Sequence, residues 1–234
     1  MRLATPRSHD NSPYYFGLAL LAAVVGFYPS FFSQLGKLDL LRHVHGGLAT
    51  SWLVLLIIQG SLARTRLYAV HRVLGWASLA IVPAFVISGV MLIRVSLAGT
   101  NPFQQAFAPP LALVDFIGLA FFAFCYGMAL WHRRRMPLHA RYMACTALLV
   151  LPPATARALG AFMPGIQSFE AAFHGGMLIS VVATLVLIVR DAREGKILPP
   201  YPLLLAVLVV QQVSFMTIAM SPAWRAICAR LAAG

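Results

Sequence analysis

Residues 111–131 read LALVDFIGLAFFAFCYGMALW, and residues 132–135 read HRRR. The first stretch holds 21 residues with a single charge, Asp115, and no proline. As a helix rising 1.5 Å per residue it is about 32 Å long, close to the thickness of a bilayer's hydrocarbon core. A helix that is apolar on every side must be surrounded by protein core or by lipid. It ends on one histidine and three arginines, groups that stay at a headgroup surface and mark the cytoplasmic side. This stretch therefore predicts a membrane-spanning helix and the direction in which it runs.

The rest of the chain repeats the pattern. Of 234 residues, 60% are hydrophobic and 10% charged, against about 25% charged in an ordinary soluble domain. Mean hydropathy is +0.81. Such a composition excludes a disordered chain, a collagen, a coiled coil and a disulfide-stapled secreted domain, and argues against a soluble globule. Six further apolar segments are read at Tyr14–Phe32, His43–Leu62, His71–Ile93, Leu138–Phe162, Phe169–Val189 and Pro202–Met220. Breakers separate them: Gly36, Gly99–Pro102, Pro109-Pro110, Pro137, Pro164-Gly165 and Pro199-Pro200. The expected fold class is all-α: a polytopic membrane protein with seven transmembrane helices in one bundle. Residues 1–13 form a cytoplasmic tail, 14–220 the bundle and 221–234 a short external tail. The N-terminus lacks the early apolar core of a cleavable signal, so the first segment is expected to be retained.

Placing the N-terminus in the cytoplasm puts twelve of the 18 basic residues inside and six outside. The formal charge of +12 then reports topology and attraction to anionic lipid. No basic and aromatic motif suggests nucleic acid. The expected location is the inner membrane of a bacterium. Cys125, Cys145 and Cys228 form no CxxC and read as inert thiols.

Direction sorts the histidines. His43, His45 and His174 fall near outer helix ends, and His71, His132 and His139 near inner ones. Interfacial position alone accounts for His132, beside three arginines. His45 and His174 are each followed by two glycines, Gly46-Gly47 and Gly175-Gly176. Helical glycine costs about 1 kcal/mol relative to alanine in soluble hosts and permits close approach of a helix or a flat group. On the inner side, His71-Arg72 and His139-Ala140-Arg141 match in the same way, with Gly75 one turn beyond His71. An imidazole, a small residue and an arginine suit a haem: ligand, clearance and propionate partner. Snorkelling loop arginines explain the same residues without a cofactor.

The stretch Arg42-His43-Val44-His45, Trp52, Gln59 and His71-Arg72-Val73-Leu74-Gly75 resembles an uncharacterised family of bacterial integral-membrane proteins. The later segments His139–Met143 and Arg190–Lys196 are similar to that family too. A weaker resemblance is to the transmembrane di-haem b-type cytochromes, such as the ascorbate-reducible ones. Those bundles hold a haem near each face between two histidines. That resemblance implies one or two haem b groups, with His45 paired to His174 and His71 to His139. Arg72, Arg141 and Arg157 would meet propionates. The function implied is electron transfer within or across the bilayer, with a quinone or another redox partner.

Two other classes remain open. A metal-dependent hydrolase or oxygenase would use a zinc, iron or copper ion held by the outer set His43, His45, His174 and Asp115, with His71 and His139 as further donors. The HxxxH and HxxHH patterns of membrane di-iron enzymes are absent, and the last segment has no histidine, unlike ceramidase-type zinc hydrolases. A non-catalytic membrane subunit is the third class. A retinal Schiff base is excluded in practice, because the two lysines, Lys37 and Lys196, sit in loops. A transporter finds weak support in kinks expected at Pro83 and Pro152-Pro153. Gln59, Gln211 and Gln212 are expected to bond between helices, with Gln211-Gln212 an alternative quinone lining. Asp115 and Glu170 are the carboxylates near outer helix ends, and Glu170 is expected to pair with Arg94 or Arg157.

Overall fold

A computed structural model describes residues 11–218 and 221–233. The protein is all-helical, with 84% of residues in helix and no strand among those described. The α-helices are α1 (Ser12–Phe27), α2 (Leu40–Arg64), α3 (Tyr68–Gly75), α4 (Ser78–Leu97), α5 (Pro102–Trp131), α6 (Met136–Leu148), α7 (Leu151–Phe162), α8 (Phe169–Arg193), α9 (Pro200–Met216) and α10 (Pro222–Ala233). A 3₁₀ turn, Phe32–Lys37, joins α1 to α2. Most of the expected tail 1–13 lies outside the described residues, as does His9.

Local chemistry sets the helix starts. The side chains of Asp39, Asn101 and Ser168 accept the backbone N–H of Arg42, Gln104 and Ala171, which satisfies one orphan donor each. Proline occupies the first turn of α1, α5, α6, α7 and α9, where a missing N–H is harmless. Pro109-Pro110 does not break the chain as expected. It lies in the third turn of α5, which begins at Pro102 and runs 30 residues. The helix continues through it without the backbone bonds that the two missing N–H groups would make.

Five helical passages are long and apolar enough to cross a membrane: Leu40–Arg64, Tyr68–Leu97, Pro102–Trp131, Met136–Phe162 and Phe169–Arg193. They coincide with the five inner segments of the sequence reading. The remaining two, α1 and α9, have 16 and 17 residues. At 1.5 Å per residue they reach about 24 and 26 Å, short of a 30 Å hydrocarbon core. The chain turns at Tyr28–Phe31 before the first segment's expected end, and α9 stops at Met216.

The break in the third segment is not at Pro83, which sits inside α4. It falls at Trp76-Ala77, where N–H groups bond the carbonyls of Val73 and Leu74 in the tighter 3₁₀ pattern. The fifth segment does break near its expected Pro152-Pro153, at Leu149-Val150. Where an external tail was expected, α10 folds back as a helix. Trp224 Nε1 donates to the Pro109 carbonyl at 2.7 Å, and Arg94 Nε to that of Leu231 at 3.3 Å.

Packing follows the rules of an apolar solvent. Large side chains such as Leu18, Ile87, Leu178 and Val186 point outward, each more than half exposed. Small and hydroxylated residues lie inside: Ala154, Ser180, Thr184 and Ser214 are buried. One core joins α5, α6, α8 and α9, and another joins α1, α2, α4, α5 and α6 around Trp52, Phe122 and Tyr126. Helix α7 is clasped between α1 and α8 on small residues. A Cβ on Gly26 would run into the Ala154 backbone, and one on Gly176 into the backbone of Pro152 and Ala156.

Candidate functional site

The arginine-rich end of the bundle, between α5 and α6, brings His71 and His139 together. Their ring centres are 6.4 Å apart and their planes cross at 68°. His71 sits in the short α3, ahead of the break at Trp76. Its Nδ1 donates to the Gln59 carbonyl at 3.2 Å, and Gln59 Nε2 donates back to the His71 carbonyl at 3.0 Å. His139 lies in the first turn of α6, and its Nδ1 donates to the Ala129 carbonyl at 2.8 Å. That carbonyl belongs to the last turn of α5, where helical acceptors lose their own partners.

These bonds decide the tautomer. A carbonyl only accepts, so the proton is on Nδ1 in both rings, and both Nε2 atoms keep a free lone pair. A nitrogen held this way by a backbone carbonyl is the usual setting of a ligating histidine. The two rings therefore offer a pair of nitrogen donors of the kind that would hold a metal or haem iron. Gly75 leaves room beside it, since a Cβ there would meet only Gln59 Nε2 at 3.6 Å. Arg72 and Arg133 to Arg135 are exposed around the same end.

Arg141 is committed elsewhere. It is 3% exposed and donates from Nε and Nη2 to the two carboxylate oxygens of Asp191, at 2.6 and 2.8 Å. Its Nη1 donates to the Pro137 carbonyl at 3.1 Å. A propionate would have to displace Asp191 to reach it. Of the paired arginines, Arg72 is the one left open. His132 stacks parallel to Tyr142, with centres 6.0 Å apart.

At the opposite end the histidines are divided between α2 and α8. His45, on α2, donates from Nδ1 to Ser88 Oγ of α4 at 3.0 Å and stacks on Phe85. The Ser88 proton goes to the Phe85 carbonyl, so His45 Nε2 is also bare. His174, on α8, receives the Gln212 amide of α9 on Nδ1 at 2.6 Å, which keeps its own proton on Nε2. A half-turn of the Gln212 amide would exchange the tautomers, and its Oε1 is buried without a partner. His43 Nδ1 donates to the Asp39 carbonyl at 2.9 Å. Among the described residues, no three His, Cys, Asp or Glu side chains converge as a metal would require.

The paired glycines are filled by protein. The Phe31 ring lies against Gly46, the Leu159 side chain against Gly175 and the backbone of α7 against Gly176; Gly47 alone faces open space. Asp115 and Arg157 do not form an ion pair. Arg157 donates to the Pro153 carbonyl at 3.0 Å and lies 4.6 Å over the Phe27 ring. The ion pair expected for Glu170 does not form; the ion pairs among the described residues are Arg42–Asp39 and Arg141–Asp191.

The glutamines bond between helices as expected. Gln211 Nε2 reaches the Val114 carbonyl at 2.9 Å, Gln212 meets His174 and Gln59 meets His71. Sequence reasoning did not find Asp191 or Ser88, and no local signal marks either. No known family model, curated protein or solved structure matches the chain.

Proposed function

We propose that this chain is a haem b-binding membrane protein that transfers electrons within or across the bilayer. It would share that chemistry with the transmembrane di-haem b-type cytochromes. The observation that carries the reading is the His71–His139 pair, two imidazoles 6.4 Å apart, each with Nδ1 held by a backbone carbonyl. A haem bound there would supply a one-electron couple. His71 and His139 would hold the iron, Gly75 would give the macrocycle clearance, and Arg72 would meet a propionate. The chain's own work is to lock both rings in the ligating tautomer and to exclude water with the apolar residues around Trp52 and Tyr126. Seven passages with a cytoplasmic N-terminus in a bacterial inner membrane complete the proposal, with α1 and α9 crossing a locally thinned bilayer.

The test is a reduced-minus-oxidised visible spectrum of the detergent-purified protein, with metal analysis. A b-type spectrum is expected, and His71→Ala and His139→Ala should each remove the same component. Bound zinc or iron without haem overturns the reading. So does a haem spectrum that survives both substitutions.

A further inference from the structure

Helices close into a ring, each packed on the next in the order α1, α2, α4, α5, α9, α8, α7 and back to α1. Toward the arginine-rich end, α6 fills the middle, packed on α5, α9 and α1. It ends at Leu148, about halfway along Met136–Phe162, and the chain joins the ring as α7. Among the described residues no helix takes its place in the other half. Phe107, Phe169, Phe173 and Phe215 close the side toward α8 and α9. The side toward α1, α2, α4 and α7 is lined differently.

The floor there is the aromatic core of Trp52, Phe85 and Phe122. His45 lies seven residues before Trp52 on α2, and Asp115 seven before Phe122 on α5. Two helical turns return to the same face, so both point inward, about 10 Å above the floor. His45 stacks on Phe85. Arg157 enters from α7, its guanidinium 4.6 Å over the Phe27 ring, which packs on the same core. Along the face of Asp115, Ala108, Ala112, Phe122 and Tyr126 are buried, yet Asp115 and Arg157 are both exposed. A side chain that faces inward and is still exposed borders open space inside the bundle.

Intramembrane charge facing a bundle interior marks a binding or transfer path. Neither Asp115 nor Arg157 takes part in an ion pair among the described residues. Arg157 bonds the Pro153 carbonyl of its own helix, and His45 keeps a bare Nε2 acceptor. The chamber therefore offers a carboxylate and an imidazole to a donor, and a guanidinium to an oxyanion. A lone cation meets repulsion from Arg157, and a lone anion from Asp115. A metal ion finds no three converging ligands among the described residues. A two-chain lipid would have to pass between helices that pack in unbroken succession.

We propose that this chamber binds a small free zwitterion of the amino-acid class. Its ammonium donates to Asp115 and His45 Nε2, its carboxylate accepts from Arg157, and its side chain rests on the aromatic floor. The site lies at the opposite end from His71 and His139, so it stands or falls apart from the haem reading.

The experiment melts the full chain in phosphatidylcholine nanodiscs, read by tryptophan fluorescence, with each of the common free amino acids in turn. At least one should raise the melting temperature, by an amount that grows with its concentration. The matching amine without the carboxylate, and the matching acid without the ammonium, should need at least about tenfold more. Asp115→Asn and Arg157→Gln should each weaken binding about tenfold or more, the worth of a charge-assisted bond, and leave the unliganded melt unchanged. Independently, Asp115→Cys should react with a membrane-impermeant methanethiosulfonate, and the amino acid should protect it. Leu178→Cys, on the outward surface, should stay inert, as should the buried native cysteines. Stabilisation by no amino acid, equal stabilisation by the amine or the acid, or binding unchanged in both charge variants overturns the proposal. So does an unreactive Asp115→Cys thiol, or loss of amino-acid binding when phosphatidylethanolamine is added to the nanodiscs.

Discussion

Replacing Asp191 with alanine removes the partner of a guanidinium that is 3% exposed. Two charge-assisted bonds of 2.6 and 2.8 Å disappear, and the Pro137 carbonyl is left as the sole acceptor for Arg141. Breaking a buried pair from one side costs about 3–5 kcal/mol, because the survivor is a buried charge without compensation. For a chain of this size that corresponds to a fall in melting temperature of about 6–20 °C. The assay suits the molecule: Cys125, Cys145 and Cys228 are all buried free thiols. A thiol-reactive fluorogenic dye therefore reports unfolding as they emerge. The double variant Arg141→Met/Asp191→Leu replaces both charges with apolar groups and should recover most of the loss. If Asp191→Ala melts within about 2 °C of the parent, the pair is not the buried lock described above. If the double variant melts lower than the single one, the penalty is not that of an orphaned charge.

Other substitutions probe other joints. Gly176→Ala would place a methyl 2.6–2.9 Å from the backbone of α7, which cannot yield as a side chain would, and should cost about 1–3 kcal/mol in the same melt. Gly47→Ala, facing open space, should leave stability unchanged. Trp224→Phe removes the bond to the Pro109 carbonyl; limited proteolysis should then cut within α10 while the melt of the bundle holds. Asp39 has a folded pKa below its unfolded value of about 3.9, so its capping contribution is full above that value and is lost as pH falls through the lower one. The protection of amides 40–43, corrected for intrinsic exchange, should fall as pH drops below about 3.9, and Asp39→Asn, which caps without a charge, should flatten that dependence.

Legibility in the sequence varied with the distance over which the determining physics acts. The run 111–131 announced a helix because its length and uniform apolarity are local properties, and five such runs became spans. Pro109-Pro110 misled, since α5 runs on through both prolines; the 3₁₀ break at Trp76-Ala77 carries no proline at all. The glycines after His45 and His174 correctly signalled close approach, but not that Phe31 and α7 would be the occupants. The likeness of His71-Arg72 to His139-Ala140-Arg141 did foreshadow two rings that meet. Arg141 and Asp191 were invisible as a pair. Arg141 read as a propionate partner or a snorkelling loop charge and Asp191 as one charge of the tract Arg190–Lys196, and only the packing of α6 near α8 takes both out of water.

That same pair orders events during synthesis. Arg141 and Asp191 are separated by 50 residues, with a reversal of direction between them. A ribosome adding about 5–20 residues per second delivers the second charge roughly 3–10 s after the first. For that interval the guanidinium has the Pro137 carbonyl of its own helix but no carboxylate. The contacts of His71 with Gln59 and of His139 with Ala129 lie wholly within α2 to α6, so they need nothing from α8, whereas Arg141 gains its carboxylate partner only when α8 is present.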